Sequence, residues 1–182
     1  IMLRQISLMK HKDLGFQKEG LIHITMDYRD RSGITHELAT LPIIDEFVEC
    51  SIFSITHEPH TQNEVSWEGK PDDFNPNFQV IKAGDKFLDA FKITLLKGNF
   101  INEGDSDPED WTTPGNTAVI NEEAARIMGI DNPIGKKISI WNGVIYGDGK
   151  RGQKELEIVG IVKDFQAASL RNPILPAIIT LD

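Results

Sequence analysis

The sequence lacks the features that mark several common classes of protein. It has one cysteine, Cys50, so it forms no internal disulfide, and no Cys/His cluster has the spacing of a zinc site. No apolar run approaches the ~18 residues that span a bilayer, and no signal peptide of three-part form is present. Basic residues are few: 19 Lys and Arg against 28 Asp and Glu give a net charge of −9. That sign disfavours a general nucleic-acid binder, so we expect no nucleic-acid partner.

Common catalytic and phosphate-binding motifs are also missing. The sequence has no Gly-x-Ser-x-Gly, His-Glu-x-x-His or Gly-x-Gly-x-x-Gly pattern. Gly135-Lys136-Lys137 resembles the end of a phosphate loop, but five residues separate it from Gly129 and Lys137 stands where Ser or Thr is needed. The stretch also follows a predicted helix and leads into a strand, the reverse of a phosphate loop. We interpret it as a helix end and turn, in which Pro133 prevents continuation of the helix.

Two histidines and an acidic loop support one alternative function, a soluble metal-dependent hydrolase. The residues concerned are His57 and His60, with a loop that contains Glu103, Asp105, Asp107, Glu109 and Asp110. The two histidines have no third ligand at a recognised spacing, and the loop lacks the pattern of a calcium-binding hand. A solvent-exposed loop is the simpler interpretation.

Three tryptophans support another alternative, a passive peptide- or glycan-binding module. Trp67, Trp111 and Trp141 would be its exposed platforms, although large aromatic side chains are more often buried. Neither alternative identifies a residue by motif. The sequence therefore predicts no catalytic, cofactor-binding or metal-binding residue, and we expect neither a cofactor nor enzymatic activity.

The periodicity of apolar residues predicts an α+β fold with a mixed sheet, built from strand-helix-strand units and hairpins. Helices are predicted at 2–12, at 32–41 with Ser32 as the cap, at 85–91, and at 122–128 with Asn121 as the cap. Strands are predicted at 20–28, at 47–55, around Trp67 and Val80, up to Gly98, at 117–120, twice or three times within 136–165 with turns at 147–149 and 150–152, and at 176–181.

Five motifs occur in an order that is typical of one family. They are KDLGF at 12–16, FKITLLKGNFI at 91–101, AVINEEAARIMG at 118–129, NPIGKKI at 132–138 and EIVGIVKDFQAASLRNPILPAII at 157–179. This order resembles the MacB-like periplasmic core domain of ABC-transporter permeases in the FtsX-like permease superfamily. The match is loosest between His57 and Asn77. We expect turn, cap and packing roles for Gly15, Gly98, Asn121, Gly129, Pro133, Gly135, Gly160 and Asp164.

The resemblance implies a porter-like lobe of strand-helix-strand units beside a smaller β-rich lobe. It implies that residues 1–13 continue a first transmembrane helix of the parent protein, and that residues 14–182 form the extracytoplasmic domain. The apolar stripe of the first helix and a start without an initiator methionine agree with this division. Family members commonly carry further strands and a helix after a motif like VKDF, so we expect the domain to be incomplete at its C-terminus.

The resemblance also implies a non-catalytic function. In this superfamily a separate cytoplasmic subunit or domain hydrolyses ATP, and the membrane helices carry the motion to the extracytoplasmic domain. The implied partners are a cognate ABC ATPase, a second permease copy and, for relatives of macrolide exporters, a periplasmic adaptor with an outer-membrane channel. The implied location is the inner membrane, with this domain in the periplasm.

Overall fold

A computed structural model describes residues 13–24, 31–51, 61–101, 115–167, 169–170 and 172–181. These residues contain three helices: α1 (Arg31–Ala39), α2 (Phe87–Phe91) and α3 (Glu122–Met128). They contain eight strands: β1 (Thr61–Gln62), β2 (Ser66–Trp67), β3 (Phe78–Lys82), β4 (Leu95–Gly98), β5 (Thr117–Asn121), β6 (Lys137–Ile145), β7 (Arg151–Val162) and β8 (Ala177–Thr180). None of the helices found here has the length and apolar character to cross a membrane.

The eight strands form one mixed sheet in the order β1-β3-β8-β5-β7-β6-β2, and β4 also pairs with β7. The β3–β8 and β5–β7 pairs are parallel, and the other pairs are antiparallel. The predicted α+β class with a mixed sheet is therefore confirmed. The 12 residues of β7 are long enough to pair with both β6 and β4 along one edge, while β5 pairs along the other.

The sheet is packed on both faces, which explains its apolar central strands. Successive residues of β8 point to opposite faces, so that Ile178 belongs to one buried cluster and Ile179 to the other. Phe87 of α2 lies in the cluster of Ile179, and Met128 of α3 lies in that of Ile178. All four residues of β8 are buried. A strand that is covered on both faces has a continuous apolar run instead of an alternating one, and PAIITL has such a run.

The step from β5 into α3 follows the prediction from sequence. Asn121 has an extended backbone, and its Oδ1 accepts a hydrogen bond from the backbone N of Ala124 at 3.0 Å. Glu122 and Glu123 stand in the first turn, where the positive end of the helix dipole favours carboxylates. Gly129 ends the helix with a left-handed φ of 65°. The predicted cap and helix end are confirmed.

In the first third of the chain, the predicted helix at 32–41 is confirmed as α1 (Arg31–Ala39), but the two predicted strands and the cap are wrong where the structure describes them. Residues 21–24 and 47–51 form no strand, and only Cys50 makes a single bridge. Helix α1 begins at Arg31, so Ser32 lies inside it and is not its cap. An alternating pattern becomes a strand only when a neighbouring strand pairs with it, and these segments have little pairing among the described residues. The remainder of both predicted strands lies outside those residues.

The hairpin between β6 and β7 is confirmed, with one correction. The chain reverses around Gly147 to Gly149, where the backbone N of Tyr146 donates to the carbonyl O of Lys150 at 2.8 Å. The second predicted turn, at 150–152, is wrong because β7 already begins at Arg151. The predicted helix at 2–12, His57, His60, the acidic loop and Trp111 lie outside the described residues.

Candidate functional site at the N-terminal anchor

The first described residues, 13–17, are fixed to the sheet where β7 ends, and we call them the N-terminal anchor. The backbone N of Gln166 donates to the carbonyl O of Leu14 at 2.7 Å, and the backbone N of Gln17 donates to that of Phe91 at 2.8 Å. The Leu14 side chain is buried, and the ring of Phe16 packs edge-on against Phe91 with centroids 6.0 Å apart. The anchor thus contacts both the segment after β7 and the end of α2.

Gly15 allows the anchor to lie directly on the backbone that follows β7. Its φ is +74°, and a Cβ at this position would overlap the carbonyl O of Asp164 and press on the Cα of Phe165. The Oδ1 of Asp13 accepts a hydrogen bond from the backbone N of Gly15 at 2.9 Å and so holds the turn. Only glycine combines this φ with this closeness. The glycine of KDLGF is therefore a packing requirement, as predicted.

A second pair of glycines brings β4 and β7 together. Gly98 pairs with Gly160 in register, and Gly98 has a φ of +74°. A Cβ on Gly98 would overlap the carbonyl O of Val159, and a Cβ on Gly160 would overlap that of Asn99. The backbone N of Asn99 donates to the carbonyl O of Val159 at 2.9 Å. The predicted roles of both glycines follow from this close crossing.

The NPIGKK turn pairs with β7 beside this crossing. The backbone N of Gly135 donates to the carbonyl O of Ile158 at 2.7 Å, and the backbone N of Ile158 donates to that of Lys136 at 2.9 Å. Gly135 has a φ of +81°, which a turn residue without a side chain adopts easily. The two lysines form exposed ion pairs, Lys136 with Glu68 and Lys137 with Glu155. These contacts support the interpretation as a turn rather than a phosphate loop.

Asp164 connects the segment after β7 to the start of α3. Its Oδ1 accepts a hydrogen bond from the backbone N of Glu123 at 2.9 Å, and its own N donates to Oε2 of Glu122 at 3.1 Å. Burial raises the pKa of the Asp164 carboxyl above its ordinary value, and the carboxylates of Glu122 and Glu123 act in the same direction. The hydrogen bond from Glu123 and the charge of Arg126 oppose that rise.

Asn121 connects α3 to β8 with one fully buried side chain. Besides capping the helix at Ala124, its Oδ1 accepts a hydrogen bond from the backbone N of Ala177 at 2.8 Å. Its Nδ2 donates to the carbonyl O of Leu175 at 2.9 Å. The cap was predicted from sequence, but the bonds to Leu175 and Ala177 were not, because they join positions more than fifty residues apart.

These contacts make one continuous connection from the anchor to the centre of the sheet. The anchor lies on the segment after β7, β7 crosses β4 through two glycines, Asp164 reaches α3, and Asn121 reaches β8. Sequence reasoning missed Gln166, which is 2% exposed and donates from Nε2 to the carbonyl O of Ser169 at 3.1 Å. A lone glutamine after an apolar strand was the available signal. Direct contacts thus join the anchor to the segment after β7, and Asp164 of that segment to α3.

The residues of the metal-dependent alternative, His57, His60 and the acidic loop, lie outside the described part of the chain. Within it, no group of three or more His, Cys, Asp or Glu residues could hold a metal ion. Trp67 is 8% exposed, and its Nε1 donates to the carbonyl O of Met128 at 3.1 Å, so it is a core residue and not an exposed platform. Trp141 is half-buried beneath the Arg151 guanidinium, 5.0 Å from the ring centroid.

Comparison with known proteins agrees with this architecture. The sequence model of the MacB-like periplasmic core domain family matches residues 6–179. No protein of curated function matches the sequence. Among solved structures, the periplasmic region of MacB from Actinobacillus actinomycetemcomitans is similar, with a TM-score of 0.50 and 16% identity over 86% of this chain.

A second solved structure gives a weaker match. The extracellular domain of the noncanonic ABC-type transporter YknZ from Gram-positive bacteria has a TM-score of 0.49 and 11% identity over 82% of this chain. The chain covers 61% of each of these two structures. At such low identities the likeness to MacB bears on the fold alone.

Proposed function

Because the chain belongs to the MacB-like periplasmic core domain family, we propose that it transmits movement between the membrane part of an ABC-transporter permease and the space outside the cytoplasm. A chain of this family is a periplasmic domain of a MacB- or FtsX-like permease. In the proposal, the domain performs no chemistry of its own. It responds to ATP hydrolysis in a separate cytoplasmic subunit or domain, and the response supports export or signalling across the envelope.

The observation that carries the proposal is the N-terminal anchor. Two backbone hydrogen bonds, from Gln166 to Leu14 and from Gln17 to Phe91, tie residues 13–17 to the sheet. Because Gly15 has no Cβ, the anchor lies directly against the backbone of Asp164. A pull on the chain before residue 13 would therefore act on the backbone of β7 and on α3 without an intervening flexible loop. We propose that residues 1–13 continue a transmembrane helix and that residues 14–182 form the extracytoplasmic domain.

The same proposal defines the partners and the location. The parent protein would lie in the inner membrane with a cognate ABC ATPase and a second permease copy, and this domain would lie in the periplasm. A periplasmic adaptor with an outer-membrane channel would be a further partner if the parent protein exports as the relatives of macrolide exporters do. The open reading frame provides the first test, since an apolar segment of about 20 residues must precede Ile1 directly.

Alanine substitutions at Gly15 and at Gly20 test whether the anchor transmits movement. In the full-length permease with its ATPase, Cys50→Ser and Asp148→Cys place one fluorophore on the exposed β6–β7 hairpin. We expect ATP to change its emission in this background and with Gly20→Ala, because a Cβ at Gly20 meets nothing within 4 Å at a φ of +82°. With Gly15→Ala, we expect ATP hydrolysis to continue while the emission change is lost.

The control separates transmission from folding. Both substitutions place alanine at a left-handed φ, so both carry a similar backbone cost of ~1 kcal/mol or more, and only Gly15→Ala disturbs the contact with Asp164. Circular dichroism of the two variants checks that each remains folded. If folded Gly15→Ala permease keeps the emission change of Gly20→Ala, movement does not pass through the anchor and the proposal fails.

A further inference from the structure

The hairpin between β6 and β7 contains Asn142, the one asparagine of the sequence that a glycine follows. An asparagine side chain can react with the backbone N of the next residue, and glycine, which has no Cβ, leaves that nitrogen most accessible. We propose that Asn142 is a modification site, at which the folded protein converts the side-chain amide into a carboxylate through a cyclic imide with Gly143.

The reaction needs only solvent water as a second reactant. The backbone N of Gly143 attacks Cγ of Asn142, the new N–Cγ bond closes a five-membered ring, and the Cγ–Nδ2 bond breaks. Ammonia leaves with the proton of the Gly143 nitrogen. Water then opens the ring at either carbonyl and gives an aspartate, or an isoaspartate whose chain runs through Cβ and Cγ. No electrons are transferred, and each product carries one additional carboxylate.

The backbone at this position has the freedom and the space that ring closure needs. The register of β6 on β7 passes directly from Trp141 to Ile145, so that residues 142–144 form a bulge. Rotation of an unpaired bulge leaves the ladder intact on both sides. Gly143 is exposed, and a Cβ on it would meet nothing within 4 Å. The extra backbone carbon of an isoaspartate would fall within the same bulge.

The Asn142 amide is held at its oxygen and not at its nitrogen. Its Oδ1 accepts a hydrogen bond from the backbone N of Val144 at 3.0 Å and lies where a Cβ on Gly152 would be. Negative charge develops on this oxygen as the Gly143 nitrogen adds to Cγ, and a donor already in place stabilises such charge. Within the described part of the chain Nδ2 makes no hydrogen bond, so departure of ammonia breaks none.

The test is incubation of the folded 182-residue chain at neutral pH in heavy-oxygen water, followed by peptide mapping with mass spectrometry. We expect residue 142 to lose its amide and gain one heavy oxygen, with aspartate and isoaspartate both present. Asn63 and Asn116 are also exposed, but Glu64 and Thr117 follow them. Both should keep their amides over the same period.

A synthetic peptide with the sequence IWNGVIYG, residues 140–147, separates the effect of the fold from that of the sequence. Because the bulge leaves ring closure open, we expect the folded chain to react within about tenfold of the peptide, a barrier difference below ~1.4 kcal/mol. If residue 142 keeps its amide in the folded chain while the peptide reacts, the hairpin protects the site and the proposal is overturned.

Two hairpin glycines provide a matched pair of variants. Gly143 and Gly149 both have positive φ, of 86° and 81°, and a Cβ on either would meet nothing within 4 Å. Gly143→Ala places a methyl group beside the attacking nitrogen and should slow conversion of Asn142 about tenfold or more. Gly149→Ala should leave the rate unchanged. Equal rates in these two variants and the wild-type chain would contradict the proposal.

The outcomes are distinct from those that test the proposed function, since the incubation needs neither membrane nor ATPase. If Gly143→Ala does not fold, Asn142→Gln takes its place, because a longer side chain must close a six-membered ring. Isoelectric focusing should then show that the acidic form of the wild-type chain no longer accumulates. Its accumulation at the wild-type rate in Asn142→Gln would overturn the proposal.

Discussion

The two halves of β7 have different surroundings, although they belong to one strand. Residues 151–155 pair with β6 in a hairpin, and three of these five residues are exposed, at alternate positions. Residues 158–162 pair with β5 on one edge, and residues 160–162 pair with β4 on the other. In this second half no residue is exposed. The first half therefore has water on one face, and the second is enclosed by protein.

The glycines in and beside the two halves of β7 differ in how closely other atoms approach them. In the enclosed half, Gly160 and its partner Gly98 each lie so close to another backbone that a Cβ would overlap a carbonyl oxygen. In the hairpin, Gly143 and Gly149 also have positive φ, but a Cβ on either would meet nothing within 4 Å. Gly143 and Gly149 thus serve backbone conformation, and Gly152 leaves room only for the Asn142 side chain, whereas Gly98 and Gly160 leave room for another backbone.

The largest effect is expected for Gly98→Ala, compared with Gly143→Ala. A left-handed φ costs a residue with a side chain ~1–2 kcal/mol, and forced overlap in a packed core costs a further ~1–3 kcal/mol. We expect Gly98→Ala to lower the free energy of unfolding by about 3 kcal/mol or more. Gly143→Ala should lower it by about 1 kcal/mol, through the backbone alone. Urea denaturation followed by circular dichroism measures both values.

One outcome would contradict the predicted difference between the two glycine substitutions. Equal losses for Gly98→Ala and Gly143→Ala would mean that β4 can move away from β7 without cost. The enclosed half of β7 would then tolerate change as well as the hairpin does, and the argument from close packing would be wrong.

The next largest effect is expected for Asn121→Ala, compared with Asn142→Ala in the hairpin. Loss of a helix cap costs ~0.5–2 kcal/mol, and the backbone groups of Leu175 and Ala177 would lose their partners, at ~1–3 kcal/mol for a buried group. We expect Asn121→Ala to lower the free energy of unfolding by about 3 kcal/mol in total. The Oδ1 of Asn142 accepts one exposed hydrogen bond, from Val144 at 3.0 Å, so Asn142→Ala should cost below about 1 kcal/mol.

Calorimetry of the two asparagine variants gives the measurement. A small loss for Asn121→Ala would indicate that water or a rearranged backbone replaces the three hydrogen bonds, and that α3 and β8 are joined by packing alone. The order of the two losses is therefore the informative quantity, since both substitutions remove the same side chain.

The same contrast explains which elements could be predicted from sequence. The helix and strand of AVINEEAARIMG carry local signals: an apolar strand, a cap at Asn121 and a glycine at Gly129. The apolar IVGIV at 158–162 lies within 136–165, where two or three strands were predicted, and it forms the second half of β7. The alternating apolar residues at 21–24 gave the same kind of signal, but no described strand pairs with them. Local pattern specifies a strand only if a distant partner is also present.

The candidate site could be predicted in part. Gly15, Gly98, Gly160 and Asp164 were selected from motifs, but sequence could not reveal that Gly15 rests on Asp164 or that Asp164 reaches α3. Those contacts join residues far apart in the chain, and no local pattern encodes them.

A smaller effect is expected for Arg151→Gln in the exposed half of β7. Arg151 pairs with Glu64 and lies over the Trp141 ring, and its side chain is 50% exposed. Ion pairs near water and exposed cation–π contacts each contribute ~0.5–1 kcal/mol or less. We expect the substitution to lower the free energy of unfolding by about 1 kcal/mol, and by less at high salt, where the charges are screened. A loss as large as that of Gly98→Ala would contradict the view that this half tolerates change.

The smallest effect is expected for Asp164→Asn, and it concerns how stability changes with pH. Burial raises the pKa of Asp164 above its ordinary value of 3.8. The folded chain therefore holds this proton more tightly than the unfolded chain does. Its stabilising contribution is full below about pH 3.8 and is lost as pH rises through the folded pKa. Asn keeps an Oδ1 acceptor for the backbone N of Glu123, but it does not ionise.

The variant should therefore have a flatter stability profile above pH 3.8 than the wild type and a slightly higher melting temperature at pH 7. Thermal melts of both chains between pH 4 and pH 7 measure this difference. Glu155→Gln removes a charge from the exposed half of β7 and is the matched control, since its carboxylate pairs with Lys137 at the surface. If Asp164→Asn lowers the melting temperature across the whole range, the charge of Asp164 is needed to hold α3. The hydrogen bond from Glu123 would then stabilise the ionised carboxyl more than burial disfavours it, and the segment after β7 would depend on a half-buried charge that the hairpin does not need.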